Sequence, residues 1–234
     1  MLRSTVRFSS LADEVYLHSG YPTLDSDAVF LGPDTYRFVR LVIETLKQRP
    51  HFQVYRIIDV CCGSGAGGLA VAKQLRLNGA DGVLLSDINL KALQFAAVNA
   101  MLASMPDVQM IQADLFAGLP SADVIIANPP YLVDASSRIY RHGGGKLGTD
   151  LAVRIAIEGL SRLESRGCLI LYTGAPILAG EDRLLAELSP KLQELSVDYS
   201  YEELDPDVFG EELAQPPYAE VERIALVALV IHAP

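Results

Sequence analysis

The feature that most constrains this chain is an alternation. Short apolar runs suited to buried strands each end in a polar or acidic cluster, and apolar residues at helical spacing follow. Tyr55 to Val60, Gly82 to Ser86, Val108 to Gln112, Asp123 to Ala127 and Cys168 to Thr173 read as strands. Leu69 to Leu77, Asn89 to Met105, Thr149 to Leu163 and Glu181 to Leu195 read as helices, the first leaving a glycine-rich loop and the last bent or interrupted at Ser189-Pro190. Strands separated by helices pair in parallel, so the pattern predicts an α/β fold with a doubly wound sheet and helices on both faces. The alternation breaks at the end. Val197 to Leu204 and Arg223 to His232 follow one another with no helical pattern between them, and they complete a mostly parallel, seven-stranded sheet as an antiparallel final pair.

Ahead of the sheet, residues 1 to about 33 read as an irregular lead-in, punctuated by Gly20-Tyr21-Pro22 and Leu31-Gly32-Pro33. A helix follows with Asp34 as its N-cap; it carries Phe38, Leu41, Val42 and Leu46 on one face and stops at Pro50. We therefore expect a lead-in with its helix over 1–50 and a single domain over 51–234. Asn78-Gly79 marks the turn that ends the first βα unit.

Half of the 234 residues are hydrophobic, enough for one domain with a sizeable core. The balance of 19 basic against 29 acidic side chains, net -10, opposes unaided binding to nucleic acid, because phosphates need neutralising. Cys61, Cys62 and Cys168 are odd in number and two are adjacent, which argues against a disulfide framework or a zinc site and for a reducing, cytoplasmic setting. His18, His51 and His232 are dispersed, so no metal is expected. No signal pattern opens the chain, and its longest apolar run, Ile224 to Ile231, is far too short to span a bilayer. No membrane partner is expected.

The chemistry concentrates at the strand ends, where open α/β sheets bind ligands. Asp59-Val-Cys-Cys-Gly63-Ser-Gly65-Ala-Gly67-Gly68 joins a strand to a helix and lets a ligand approach the backbone at Gly63 and Gly65. By itself that loop suits a nicotinamide dinucleotide equally well, with Asp87 on the ribose. The fourth cluster, Asn128-Pro129-Pro130-Tyr131, is more specific. Its prolines fix the backbone and remove two N–H donors, leaving acceptors and an aromatic ring. The Asn128 side-chain oxygen and the Pro129 carbonyl can accept both hydrogens of one planar NH2 group, and Tyr131 offers a face for stacking. Such a site suits alkylation of a weakly nucleophilic nitrogen without a strong base.

Taken in order, D-V-C-C-G-S-G-A-G-G, S-D-I-N, A-D-L-F and N-P-P-Y resemble the Rossmann-like, S-adenosylmethionine-dependent methyltransferases, and within them the N-P-P-Y group that modifies glutamine amides or base amines. Gly143-Gly-Gly-Lys-Leu-Gly148-Thr-Asp-Leu-Ala-Val-Arg154 resembles the segment after N-P-P-Y in the HemK-type glutamine N5-methyltransferases, and Gly32-Pro33-Asp34-Thr35 resembles the proline, acid and threonine that this group has before its first helix. The resemblance implies a role for each motif. Gly63 and Gly65 line the methionine part of the cofactor, with Asp59 positioning the loop or the ammonium. Asp87, in a stretch that ends at Asn89, accepts the ribose hydroxyls. Asp114 accepts from the adenine amine, with Leu115 and Phe116 against the ring. Asn128 and the Pro129 carbonyl hold the target nitrogen, Pro130 fixes the turn and Tyr131 stacks on the target plane. S-adenosylhomocysteine would be the product.

The implied substrate is a glutamine side-chain amide in a protein. An exocyclic amine of adenine or guanine in RNA or DNA is the alternative, and an inactive cofactor-binding scaffold a lesser one. The helical substrate-binding domain of the bacterial release-factor enzymes is not expected here. The shorter relatives suggest a small activating protein partner. The basic, glycine-rich stretch Ser136 to Gly148 reads as a substrate lid or a flexible connector, and Asp205 to Tyr218 as a pocket cover or a long hairpin loop. Cys61 and Cys62 read as packing residues.

Overall fold

The computed structural model describes residues 4–77, 82–134 and 138–234. The Asn78-Gly79 turn and the start of the Ser136 to Gly148 loop lie outside the described residues.

The chain opens with β1 (Val6–Leu11) and β2 (Glu14–Ser19), an antiparallel hairpin that stands apart from the main sheet. It replaces the irregular lead-in expected from sequence. The reason is the turn: Ala12 and Asp13 both adopt left-handed backbone, the two-residue geometry normally flagged by glycine or asparagine. The hairpin is fastened to the body by the Asn99 carboxamide, which accepts from the Leu17 N–H at 2.6 Å and donates to the Leu17 carbonyl at 3.0 Å.

Helix α1 (Pro33–Lys47) buries Phe38, Val39, Val42 and Leu46. Asp34 is not its cap. Gly32 holds that position, Pro33 occupies the first turn as its fixed φ favours, and the Asp34 side chain is free to turn elsewhere. Then come β3 (Ile57–Val60), α2 (Ala66–Leu75), β4 (Val83–Asp87), α3 (Leu90–Leu102), β5 (Gln109–Gln112), β6 (Ala122–Ala127), α4 (Asp150–Leu160) and β7 (Leu163–Leu178). A two-residue β8 (Glu181–Asp182) pairs with the end of β7 and leads into α5 (Arg183–Glu194), followed by β9 (Asp198–Asp205) and β10 (Arg223–His232). Proline 190 does not interrupt α5. Leu184, Leu188 and Leu192 are fully buried on both sides of it, and their burial outweighs the roughly 3 kcal/mol that an internal proline costs.

The main sheet runs β5-β4-β3-β6-β7-β10-β9. Strands β5, β4, β3, β6 and β7 are parallel, whereas β10 is antiparallel to both β7 and β9. Every residue of β3 and β4 is buried, as continuous apolar runs between two helical layers require. The order reverses between β3 and β6, so their carboxyl ends open the crevice where such sheets take ligands.

Candidate active site

That crevice is a cavity of about 870 Å³ whose lining includes Asp59, Gly63, Asp87, Asn89, Asp114, Leu115 and all four residues of Asn128-Pro-Pro-Tyr131. The structure thus gathers at one place most of the strand-end residues that the motifs single out; Phe116, expected against the adenine ring, is instead buried in the core beside Gly159 and does not line the cavity. Gly65 lies behind this surface as the N-cap of α2, in left-handed backbone, with Leu85 and Ala96 against it.

The carboxylates on the α2 and α3 side are deeply set. Asp59 is 2% exposed and accepts from the Gly68 N–H at 2.7 Å; burial pushes its carboxyl up to about 7. Asp87 spreads its two oxygens between the N–H groups of Gly63 and Asn89, both at 2.8 Å, and burial raises it too despite those bonds. Among the described residues no cation pairs with either. Beside them the Ser86 hydroxyl, also on the cavity wall, has no partner among the described residues. Gly63 faces open space, with φ +54. Asp114 differs: it is exposed and paired with Arg154 at 3.2 Å. Asn89 commits its side chain to structure, capping α3 through the Lys91 N–H at 3.0 Å and donating to the Asp27 carbonyl at 2.9 Å. The Cys61 and Cys62 thiols are driven well above their usual range by burial and the neighbouring carboxylates, which leaves neither as a nucleophile.

Two uncompensated acids, an orphan hydroxyl and an open glycine surface want a ligand that brings positive charge and hydroxyl donors. S-adenosylmethionine, with its sulfonium, ammonium and ribose, fits that donor set. Asp59, Gly63, Asp87 and Asp114 would hold it.

At the β6 end, Asn128 is half-buried, and neither its carboxamide nor the Pro129 carbonyl takes part in a hydrogen bond among the described residues. Tyr131 is anchored. Its ring is 7% exposed, packs against Gly174 of β7, and lies 5.9 Å from the Phe209 ring at 65°. Its hydroxyl donates to Asp34 at 2.7 Å, and Tyr172 donates to the other oxygen of the same carboxylate at 3.0 Å. Burial and this acid hold the Tyr131 phenol far above its ordinary range, so it stays protonated. Little of its face remains for stacking.

The described part of the loop after β6 is fastened rather than loose. Leu132 bridges to His142, Ile139 N–H donates to the Ser26 carbonyl at 3.0 Å, and the Tyr140 hydroxyl meets that of Thr23 at 2.9 Å. Arg138 grips Asp134, holding that carboxyl down at about 2, and Arg141 pairs with Glu212. The glycines beyond serve close packing. A Cβ at Gly143 would lie 2.8 Å from the Pro130 carbonyl oxygen, and one at Gly148 would collide with the Tyr131 carbonyl, where φ is already +85. This stretch is therefore a clamp on the backbone of the Asn128-Pro-Pro-Tyr131 turn.

Sequence reasoning misses Asp34 and Phe209 as parts of this wall. The proline, acid and threonine pattern at the start of α1 is a signal for the first; the reading of Asp205 to Tyr218 as a pocket cover brackets the second without singling it out. Among the described residues there is no group of three metal-ligating side chains, and no helix is long and apolar enough to cross a membrane.

Comparison with known proteins identifies the family. Residues 27–178 match the methyltransferase small domain family. The chain is 35% identical over 139 residues to the ribosomal protein uL3 glutamine methyltransferase of Bordetella pertussis, covering 54% of this chain and 46% of that protein. It is 33% identical over 133 residues to the release factor glutamine methyltransferase of Borreliella burgdorferi, covering 52% and 45%. The chain thus spans about half the length of these curated relatives. Among solved structures, Trm5b from Pyrococcus abyssi superimposes with a TM-score of 0.63 at 16% identity, covering 97% of this chain and 56% of that one. The Thermus thermophilus 16S rRNA N2 G1207 methyltransferase, solved with AdoMet and guanosine, gives 0.61 at 15%, covering 98% and 50%. At such identities these two speak for the fold. The match over most of the chain, together with the crevice and its ordered motifs, shows that the chain belongs to the methyltransferase small domain family, within the Rossmann-like, S-adenosylmethionine-dependent methyltransferases.

Proposed function

We propose that this protein transfers a methyl group from S-adenosylmethionine to the side-chain amide nitrogen of a glutamine in a protein, in the cytoplasm. The observation that carries this reading is the pair of unused acceptors at the β6 end, the Asn128 carboxamide oxygen and the Pro129 carbonyl, in a turn whose two prolines offer no N–H. An amide NH2 presents two coplanar hydrogens and matches two acceptors. When bound, S-adenosylmethionine supplies an electrophilic methyl group. The chain's own part is to hold both N–H bonds, orient the nitrogen lone pair and keep water out with Tyr131 and Phe209. One of the two N–H protons must pass to solvent once the N–CH3 bond has formed and S-adenosylhomocysteine is left neutral; with the lone pair already oriented, no charged base need remove it before the attack.

A second observation favours an amide over a base in a polynucleotide. The guanidinium groups on the cavity wall are already engaged: Arg138 by Asp134 and Arg141 by Glu212. Neither of these is left to neutralise a phosphate. The relatives named as glutamine methyltransferases support the same choice.

The test is transfer of tritiated methyl from S-adenosylmethionine into cell extract, with products split between protease and nuclease. Label lost to protease and mapped to a glutamine supports the reading. Label released by nuclease overturns it in favour of a base amine.

A further inference from the structure

We infer that Phe209 is a specificity-determining residue that forms the acceptor-facing wall of the cleft. The inference rests on the reading above only in taking the Asn128 end as the place where the acceptor sits. The residues that match the family end at 178, so Phe209 comes from a part of the chain that the match does not reach.

Four observations converge on it. Phe209 adopts φ +55, ψ +39, a backbone state that a bulky side chain avoids and that the fold must over-determine. Its backbone is pinned there: the Val208 N–H donates to the Ile224 carbonyl at 2.8 Å, and the Glu212 N–H donates to the Phe209 carbonyl at 2.8 Å. The ring reaches the same cavity as Asn128, edge-on to Tyr131, with the Arg141 guanidinium 5.9 Å from its centroid. Finally, the segment that carries it is bolted to the loop that follows Asn128-Pro-Pro-Tyr131, at Val133 and at Arg141. Glu212 pairs with Arg141, and the buried Tyr218 hydroxyl accepts from the Val133 N–H at 2.7 Å. A strained backbone, held so that one aromatic ring points into the cleft, is what a recognition wall needs.

Tyr131 leaves this task open, because its ring is packed on Gly174 and its hydroxyl is tied to Asp34. Phe209 supplies the missing apolar surface for a planar acceptor group. The segment from Asp205 to Tyr218 thereby covers the acceptor side of the pocket and selects what enters it.

The experiment uses the full chain, tritiated S-adenosylmethionine and cell extract, and reads initial rates of total incorporation against extract concentration for wild type, Phe209→Ala and Phe209→Gly. Affinity for S-adenosylhomocysteine and Tm are measured alongside. Phe209→Gly removes the backbone strain and the ring together, so it separates wall from scaffold. The expected result is a rise of roughly tenfold in the half-saturating extract concentration for both variants, with unchanged S-adenosylhomocysteine affinity and with Tm held or raised in the glycine variant. Wild-type kinetics in Phe209→Gly would overturn the inference, as would a loss in both variants that merely follows a fall in Tm. A nuclease-sensitive label would defeat the glutamine reading, and these same ratios would still decide the role of Phe209.

Discussion

The two ends of the cleft are built in opposite ways. The end proposed for the cofactor takes Asp59, Gly63, Asp87 and Asp114 from the carboxyl ends of successive parallel strands; Asp59 and Asp87 are held by backbone N–H groups of the adjoining loops, and Asp114 by Arg154 of α4. The end proposed for the acceptor takes Asp34 from α1, Tyr131 from the turn after β6, Gly174 from β7 and Phe209 from the segment before β10. One is a local construction, repeated along the chain. The other is an assembly of remote pieces, and its chemistry is set by how they meet.

The sharpest way to test that division is to disable one end and watch the other. Asn128→Ala should cut methyl transfer by about 10²–10³-fold, by analogy with removal of one preorganised polar contact to the reacting group, while the dissociation constant for S-adenosylhomocysteine stays within twofold or so. A calorimetric titration that found both lost would erase the distinction. Asp87→Ala should do the reverse, weakening S-adenosylhomocysteine by roughly 10²-fold through the loss of charge-assisted bonds worth about 1.5–3 kcal/mol each. Residual turnover at saturating cofactor should persist.

Smaller effects sharpen the comparison. Gly148→Ala places a Cβ against the Tyr131 carbonyl in a left-handed residue, which should cost about 2 kcal/mol, or roughly 4–8 °C in Tm by calorimetry, and should lower transfer with it. The cofactor end should announce itself in pH. Because the folded Asp59 carboxyl sits near 7, well above its ordinary value, the native state holds a proton that the unfolded chain has released. Stability of the cofactor-free protein should therefore fall as pH rises from about 4 to 7, by no more than about 1.4 kcal/mol per pH unit for this one group. The raised Asp87 acts in the same direction. Denaturant midpoints that are as steep in Asp59→Asn as in wild type would assign the slope elsewhere. Least affected should be Arg154→Ala: its pair with Asp114 is largely exposed, so a shift of less than about fivefold in S-adenosylhomocysteine affinity is expected.

The same contrast explains what sequence can and cannot reveal. Asp59, Asp87, Asp114 and Asn128 are legible because each follows an apolar run at a strand's end, and the alternation of strands and helices dictates that those ends share an edge. The β1–β2 hairpin is hidden by its Ala12-Asp13 turn, which lacks the usual glycine or asparagine. Asp34 reads locally as a helix cap, whereas its partners Tyr131 and Tyr172 stand 97 and 138 residues away. The glycines at 143 and 148 show as a motif, but only the folded chain reveals that they clamp the turn rather than flex. For Phe209 the informative fact is a backbone angle that phenylalanine is not expected to adopt.

The strand order also sets a schedule. A ribosome that has released the chain through β6 and the turn after it has already delivered Asp59, Gly63, Asp87, Asp114 and Asn128, the groups proposed for the cofactor side and for the first contact to the acceptor. The remaining wall waits on the last quarter of the polypeptide, because β10 must slide between β7 and β9 before the segment carrying Phe209 is pinned to Ile224. In a newborn molecule, the residues proposed to hold the methyl donor therefore emerge before the residue proposed to choose what receives it.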